Sequence, residues 1–109
     1  MNDTTNTRDF ATALTSFVAL AQAKIDAGYT SLPEYHPTLS IGPRGRRYAR
    51  IVRTDGGTSR SVHCFVDRTN GNVLKAAGWK GPAKHARGNI FNADGGSSGV
   101  SQYGGTYLN

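Results

Sequence analysis

The succession "RYARIVRT", "DGG", "SVHCFV", "DRTNGN", "VLKAA" constrains the fold of this chain more than any other feature. Across the first run, Tyr48, Arg50 and Val52 fall on one side of an extended strand and Ala49, Ile51 and Arg53 on the other. Asp55-Gly56-Gly57 is a tight-turn sequence, and Asn70-Gly71 is the pair that tolerates positive φ. Three extended runs joined by two such turns predict an antiparallel meander over about 47–54, 60–67 and 72–76. Thr38 to Ile41 adds a short edge strand. In the middle strand, placing Val62, Cys64 and Val66 in the core leaves His63 and Phe65 on the open face; the opposite parity buries Phe65.

Such a sheet needs a cover. Phe10, Leu14, Phe17, Val18, Ala21 and Ile25 recur on one helical face, which predicts an amphipathic helix over about 7–27. Asn6 or Thr7 caps its first turn, Asp9 suits its positive end, and Gly28 is placed for a left-handed stop. Pro33, Pro37 and Pro43 then enforce a restricted, extended connection. With 109 residues the chain makes one α+β domain: an N-terminal helix on a three- to four-stranded antiparallel sheet, with an irregular C-terminal segment. That segment divides into a basic turn, 77–91, and a loosely held glycine-rich tail, 92–109, for which pinning to the sheet by Tyr103, Tyr107 and Leu108 is the alternative. Cys64 is the single cysteine, which excludes an internal disulfide and fits a reducing compartment. Neither a secretory signal nor an apolar run long enough to span a bilayer is visible, so no membrane role is expected.

Charge is distributed unevenly. Residues 44–90 hold eleven of the 13 Lys and Arg against Asp55 and Asp67 alone, while residues 1–43 carry a small negative excess. So many cations on a small sheet repel one another and call for a counter-charge, which a phosphate backbone supplies. The sequence therefore nominates Arg47, Arg50, Arg53, Lys75, Lys80, Lys84 and Arg87 as phosphate contacts. Tyr48, Phe65 and Trp79, interleaved with them, are the rings on which unpaired bases would stack. In "KAAGWKGPAKHARGNIF", Pro82 is read as starting a short helical turn that Gly88 ends, with the Ala83 and Lys84 amides exposed to an anion. Trp79 serves equally well as a lid over one end of the sheet.

Other chemistries fit less well. His36, His63, His85 and Cys64 are too few and too scattered for structural zinc, and no cofactor is expected. Nuclease action by His63 and His85, with Lys84 or Arg87 stabilising phosphorane charge, is the enzymatic alternative, but nothing in the sequence brings the histidines together. A non-enzymatic binder of nucleic acid, preferentially single-stranded DNA and tolerant of sequence, is the leading expectation. Docking on an acidic protein partner and binding of a free nucleotide are the alternatives.

Residues 61–91 also carry a recognisable pattern. Val62, His63, Phe65, Val66 and Asp67, then Lys75, Trp79, Lys80, Pro82, Ala83 and Lys84, then Arg87, Gly88 and Asn89 resemble a small protein family of tailed bacteriophages. Asn72 and Gly78 depart from that pattern. The resemblance covers about a third of the chain and implies phage origin, hence a place in the host cytoplasm or the virion, and a site built on 75–91. It implies no reaction.

Overall fold

A computed structural model describes residues 9–29, 33–42 and 47–106. Its element order is helix α1 (Phe10–Gly28), β1 (Thr38–Ile41), β2 (Tyr48–Asp55), β3 (Ser59–Asp67), β4 (Asn72–Leu74), β5 (Gly88–Asn89), β6 (Val100–Ser101) and β7 (Gly104–Gly105). The first five strands form one antiparallel sheet in chain order, and β6 and β7 form a separate hairpin. The architecture is α+β as expected, with five strands in the main sheet where the sequence indicates three to four.

α1 begins later than predicted. Asp9 is the N-cap, its carboxylate accepting from the Thr12 amide at 2.7 Å. Asn6 and Thr7, the expected caps, lie outside the described residues, as do Arg44, Arg46, Tyr107 and Leu108. Gly28 is the last helical residue, but the chain leaves through Tyr29 in an extended conformation rather than through a left-handed glycine. The apolar stripe behaves as read: Ala13, Leu14, Phe17, Ala21 and Ile25 are buried. The first four pack on Ala49, Ile51, Cys64, Val66, Val73, Ile90 and Val100.

Gln22 ties α1 to β1. Its side-chain amide accepts from the Leu39 N–H at 2.7 Å and donates to the Pro37 carbonyl at 3.0 Å. The proline-rich connection is thereby held against the helix.

Across the central pair, Ile51 faces Cys64 but Val52 faces Val62, so His63 is the inserted residue of a β-bulge. One extra residue reverses which side chains share a face on either side of it. Two expectations are corrected by it. Val62 leaves the helix-facing cluster and lies half-buried opposite Val52, and His63, expected in the open, is 3% exposed. Phe65 is likewise not open: it is 2% exposed, covered on the face away from α1.

The glycine-rich tail, expected to be loosely held, is folded over its described residues, 92–106. Val100 enters the core, Lys24 donates to the Ser97 and Val100 carbonyls, and the Thr106 amide donates to Gly99. Gly104 adopts a φ of 122°, and a Cβ there would come within 2.7 Å of the His63 carbonyl, so only glycine lets the hairpin lie on β3. Tyr103, offered as a pin, is instead 81% exposed.

Candidate functional site

The face of the sheet away from α1 gathers the cations and rings that β2 alternation places there. Tyr48 stands edge-on to Phe65, with centroids 6.2 Å apart. The Arg50 guanidinium lies 5.8 Å from the Phe65 ring centre and 4.9 Å from that of Trp79, and its Nε donates to the Trp79 carbonyl at 2.9 Å. Arg60 approaches the same indole at 5.6 Å. Trp79 itself is 44% exposed. It is therefore anchored through its backbone and ringed by two guanidinium groups while its ring still meets solvent.

The segment after β4 folds back on itself. Ala76 bridges Pro82, the Ala83 amide donates to the Lys75 carbonyl and the Arg87 amide to that of Val73. The expected helical turn at Pro82 is absent, because these backbone groups continue the β4–β5 ladder. Ala83 has no amide to offer an anion, and Gly88 opens β5 rather than ending a helix. His85 takes the left-handed conformation, with φ 72°, where the chain bows away from the ladder. Between this bow and the sheet lies a groove of about 360 Å³, bordered by Arg47, Tyr48, Asp67, Leu74 and Lys84. A second, of about 270 Å³, runs beside Trp79 along Ser61, Val62 and Ala76.

Arg47 is divided between structure and surface. It donates through Nε and Nη2 to the buried Asp67 carboxylate at 3.2 and 3.1 Å, yet its side chain is 60% exposed. Burial opposes ionisation of Asp67, but hydrogen bonds from Thr69 and the Arg47 charge outweigh it and hold the carboxyl below its usual range.

Of the seven nominated phosphate contacts, the structure brings Arg47, Arg50, Lys80 and Lys84 to the face or its bordering loop. Lys80 and Lys84 are exposed there. Three others are elsewhere. Arg53 has the opposite parity and donates to Asp55 and to the Gln102 carbonyl, each at 3.0 Å. Arg87 donates to the carbonyls of Thr106, Lys84 and His85. Lys75 borders a different cavity, beside His63. Among the three stacking candidates, Trp79 is open, Tyr48 half-buried and Phe65 closed off. The residue that sequence reasoning missed is Arg60. Unbroken alternation from Cys64 sends it toward the helix, and only the bulge turns it to the open side. His63 and His85 line separate grooves.

Residues 5–108 match a family of unknown function, DUF7717. The chain belongs to that family. No curated protein and no solved structure matches it. In this DUF7717 member, no helix among the described residues is long and apolar enough to cross a membrane.

Proposed function

We propose that this protein binds single-stranded nucleic acid, without strong sequence preference, across the sheet face that carries Tyr48, Arg50, Arg60 and Trp79. The observation that supports the reading is the environment of Trp79: an accessible indole, fixed by the Arg50 hydrogen bond and flanked by two guanidinium groups. An unpaired base stacks on such a ring whatever its identity, and nearby cations take the phosphates on either side. In this assignment Arg47, Arg60, Lys80 and Lys84 meet phosphates. Arg50 positions the indole, Trp79 stacks a base, and Tyr48 contributes an edge. Arg53, Lys75, Arg87 and Phe65 leave the interface. The phage resemblance of residues 61–91 makes phage or host DNA the natural target, with action in the host cytoplasm or the virion. No catalysis is assigned.

Trp79 is the only tryptophan, so its fluorescence reports on the interface directly. Titration with a labelled single-stranded oligonucleotide quenches it in the proposed complex, and an equal-length duplex binds more weakly. With four phosphate contacts, a fourfold rise in salt lowers the affinity roughly fiftyfold. Unquenched emission together with salt-independent or undetectable binding would falsify the reading. Binding to an acidic protein in fixed stoichiometry, with no nucleic-acid affinity, would replace it.

A further inference from the structure

The groove of about 360 Å³ between the His85 bow and the sheet is bordered by Asn70 and Asn72, whose amide orientations are fixed by backbone groups. The Phe91 N–H donates to Asn89 Oδ1 at 2.8 Å, and because an N–H needs an acceptor, the other end of that amide is Nδ2. Asn89 Nδ2 then donates to the Asn70 carbonyl at 2.8 Å and to Asn72 Oδ1 at 2.9 Å. Asn70 Oδ1 in turn accepts from the Asn72 backbone N–H at 2.8 Å. Both side chains have thus committed their oxygens inside the protein. Their Nδ2 groups have no partner among the described residues.

The acceptors around the groove are engaged as well. Asp67 is the only carboxylate on its border among the described residues. Its Oδ1 accepts from the Thr69 amide and hydroxyl and its Oδ2 from Arg47 Nε and Nη2, which fills both oxygens. On the bow, the Lys84 and His85 carbonyls accept from Arg87 Nη1. What faces a ligand is therefore a set of donors: the two asparagine Nδ2 groups, with exposed Arg47 and Lys84 beside them. His85 can donate or accept and favours neither edge. The remaining border is apolar. Leu74 shares the open face with Asn72, since Val73 between them belongs to the core, and Pro82, Ala83 and Ala86 come from the bow. Tyr48 completes it, with the Arg47 guanidinium 5.3 Å from its ring centre.

We propose that this groove takes one unstacked base of the bound strand and favours a keto base, thymine or guanine, over cytosine or adenine. Thymine presents its O4 acceptor where cytosine presents an N4 amino group, and guanine its O6 where adenine presents an N6 amino group. Protein groups read single strands along such edges once the base is splayed out. An amino group against Asn70 and Asn72 sets donor against donor and leaves both unpaired, a larger penalty than a missing bond. Arg47 and Lys84 keep their phosphate role at the rim, so the preference belongs to one position of an otherwise tolerant interface. The inference rests on nucleic-acid binding by the Trp79 face and names the base chemistry that the neighbouring groove selects.

The test titrates the full chain with oligothymidylate and oligocytidylate of about eight nucleotides, reading Trp79 emission and the anisotropy of a labelled strand. The two strands carry equal charge and differ at the carbonyl in question. Wild type is expected to bind the thymine strand about tenfold more tightly. Asn72→Asp keeps an oxygen for Asn89 Nδ2 and turns the other atom from donor to acceptor. Its added charge weakens both strands alike, and the thymine-to-cytosine ratio falls to one or below. Should this variant fail to fold, the Asn72 side-chain ¹⁵NH₂ resonance of the wild type decides: it shifts with the thymine strand and stays in place with the cytosine strand. Equal affinity for the two strands, with Trp79 quenched by both, overturns this inference and leaves the Trp79 reading standing. A thymine preference that Asn72→Asp preserves, or an Asn72 resonance that responds equally to both strands, overturns it too. Absence of binding by either strand overturns both.

Discussion

Arg50 holds Trp79 by two contacts at once: its Nε donates to the Trp79 carbonyl at 2.9 Å, and its guanidinium carbon sits 4.9 Å from the indole centre. A β-strand side chain thereby fixes the tip of a hairpin that begins two strands away. Arg50→Ala removes a hydrogen bond to a charged donor and a cation–π contact, costing about 1–2 kcal/mol. Trp79 emission in the free protein moves to longer wavelength as the loop detaches. An unchanged emission maximum would show that the loop holds its own position.

Phe65 and Trp79 are both aromatic neighbours of Arg50, yet their substitutions separate. Phe65→Ala empties a buried site and costs about 3–5 kcal/mol, close to the whole stability of many small domains. Trp79→Ala, at a half-exposed loop position, costs about 1 kcal/mol or less and weakens oligonucleotide binding. Urea denaturation followed by circular dichroism measures both. Equal losses would mean that Trp79 is a structural lid.

Arg87 and Lys84 provide the same contrast among the cations. The Arg87 guanidinium satisfies three carbonyls, one of them in the tail, so Arg87→Ala destabilises the fold by about 2–3 kcal/mol. Lys84→Ala leaves the melting temperature unchanged and reduces the salt slope of binding by somewhat less than one. Binding that survives Lys84→Ala with its salt slope intact removes Lys84 from the interface.

His63 makes stability depend on pH in a defined window. Its folded pKa of about 4 lies below the ordinary 6.5, so the unfolded chain takes up the proton first as pH falls. Stability is complete above about 6.5 and declines toward 4, by an amount on the order of 3 kcal/mol. Below that it is insensitive to this group. Denaturation midpoints for wild type and His63→Gln across the window measure it; parallel curves would show that another group carries the dependence.

Cys64 is fully buried, and that burial pushes its thiol well above the usual range. It should resist alkylation by iodoacetamide at neutral pH and react once the chain is unfolded in guanidinium. Rapid labelling of the native protein would mean that β3 opens readily.

The main features of the sheet and helix were readable because each is written in contiguous residues. The helical spacing from Phe10 to Ile25, the alternation of Tyr48 to Arg53, and the Asp55-Gly56-Gly57 and Asn70-Gly71 turns all report local backbone preference and one-sided burial. The same alternation correctly set Tyr48 and Arg50 apart from Ala49 and Ile51.

Two things required the folded chain. One was register: His63 is a single residue without a place in the ladder, and its insertion sends Val62 and Arg60 to the open face. Alternation within one strand cannot reveal a mismatch in length with its neighbour. The other was the use of the cations. Charge density counts arginines, but Arg53 and Arg87 spend theirs on carbonyls of the distant glycine-rich tail, leaving a smaller set on the Trp79 face. Composition determined that this chain would be strongly basic; which charges reach solvent was decided by contacts between segments remote in sequence, where a carbonyl dipole competes with any external anion for the same guanidinium.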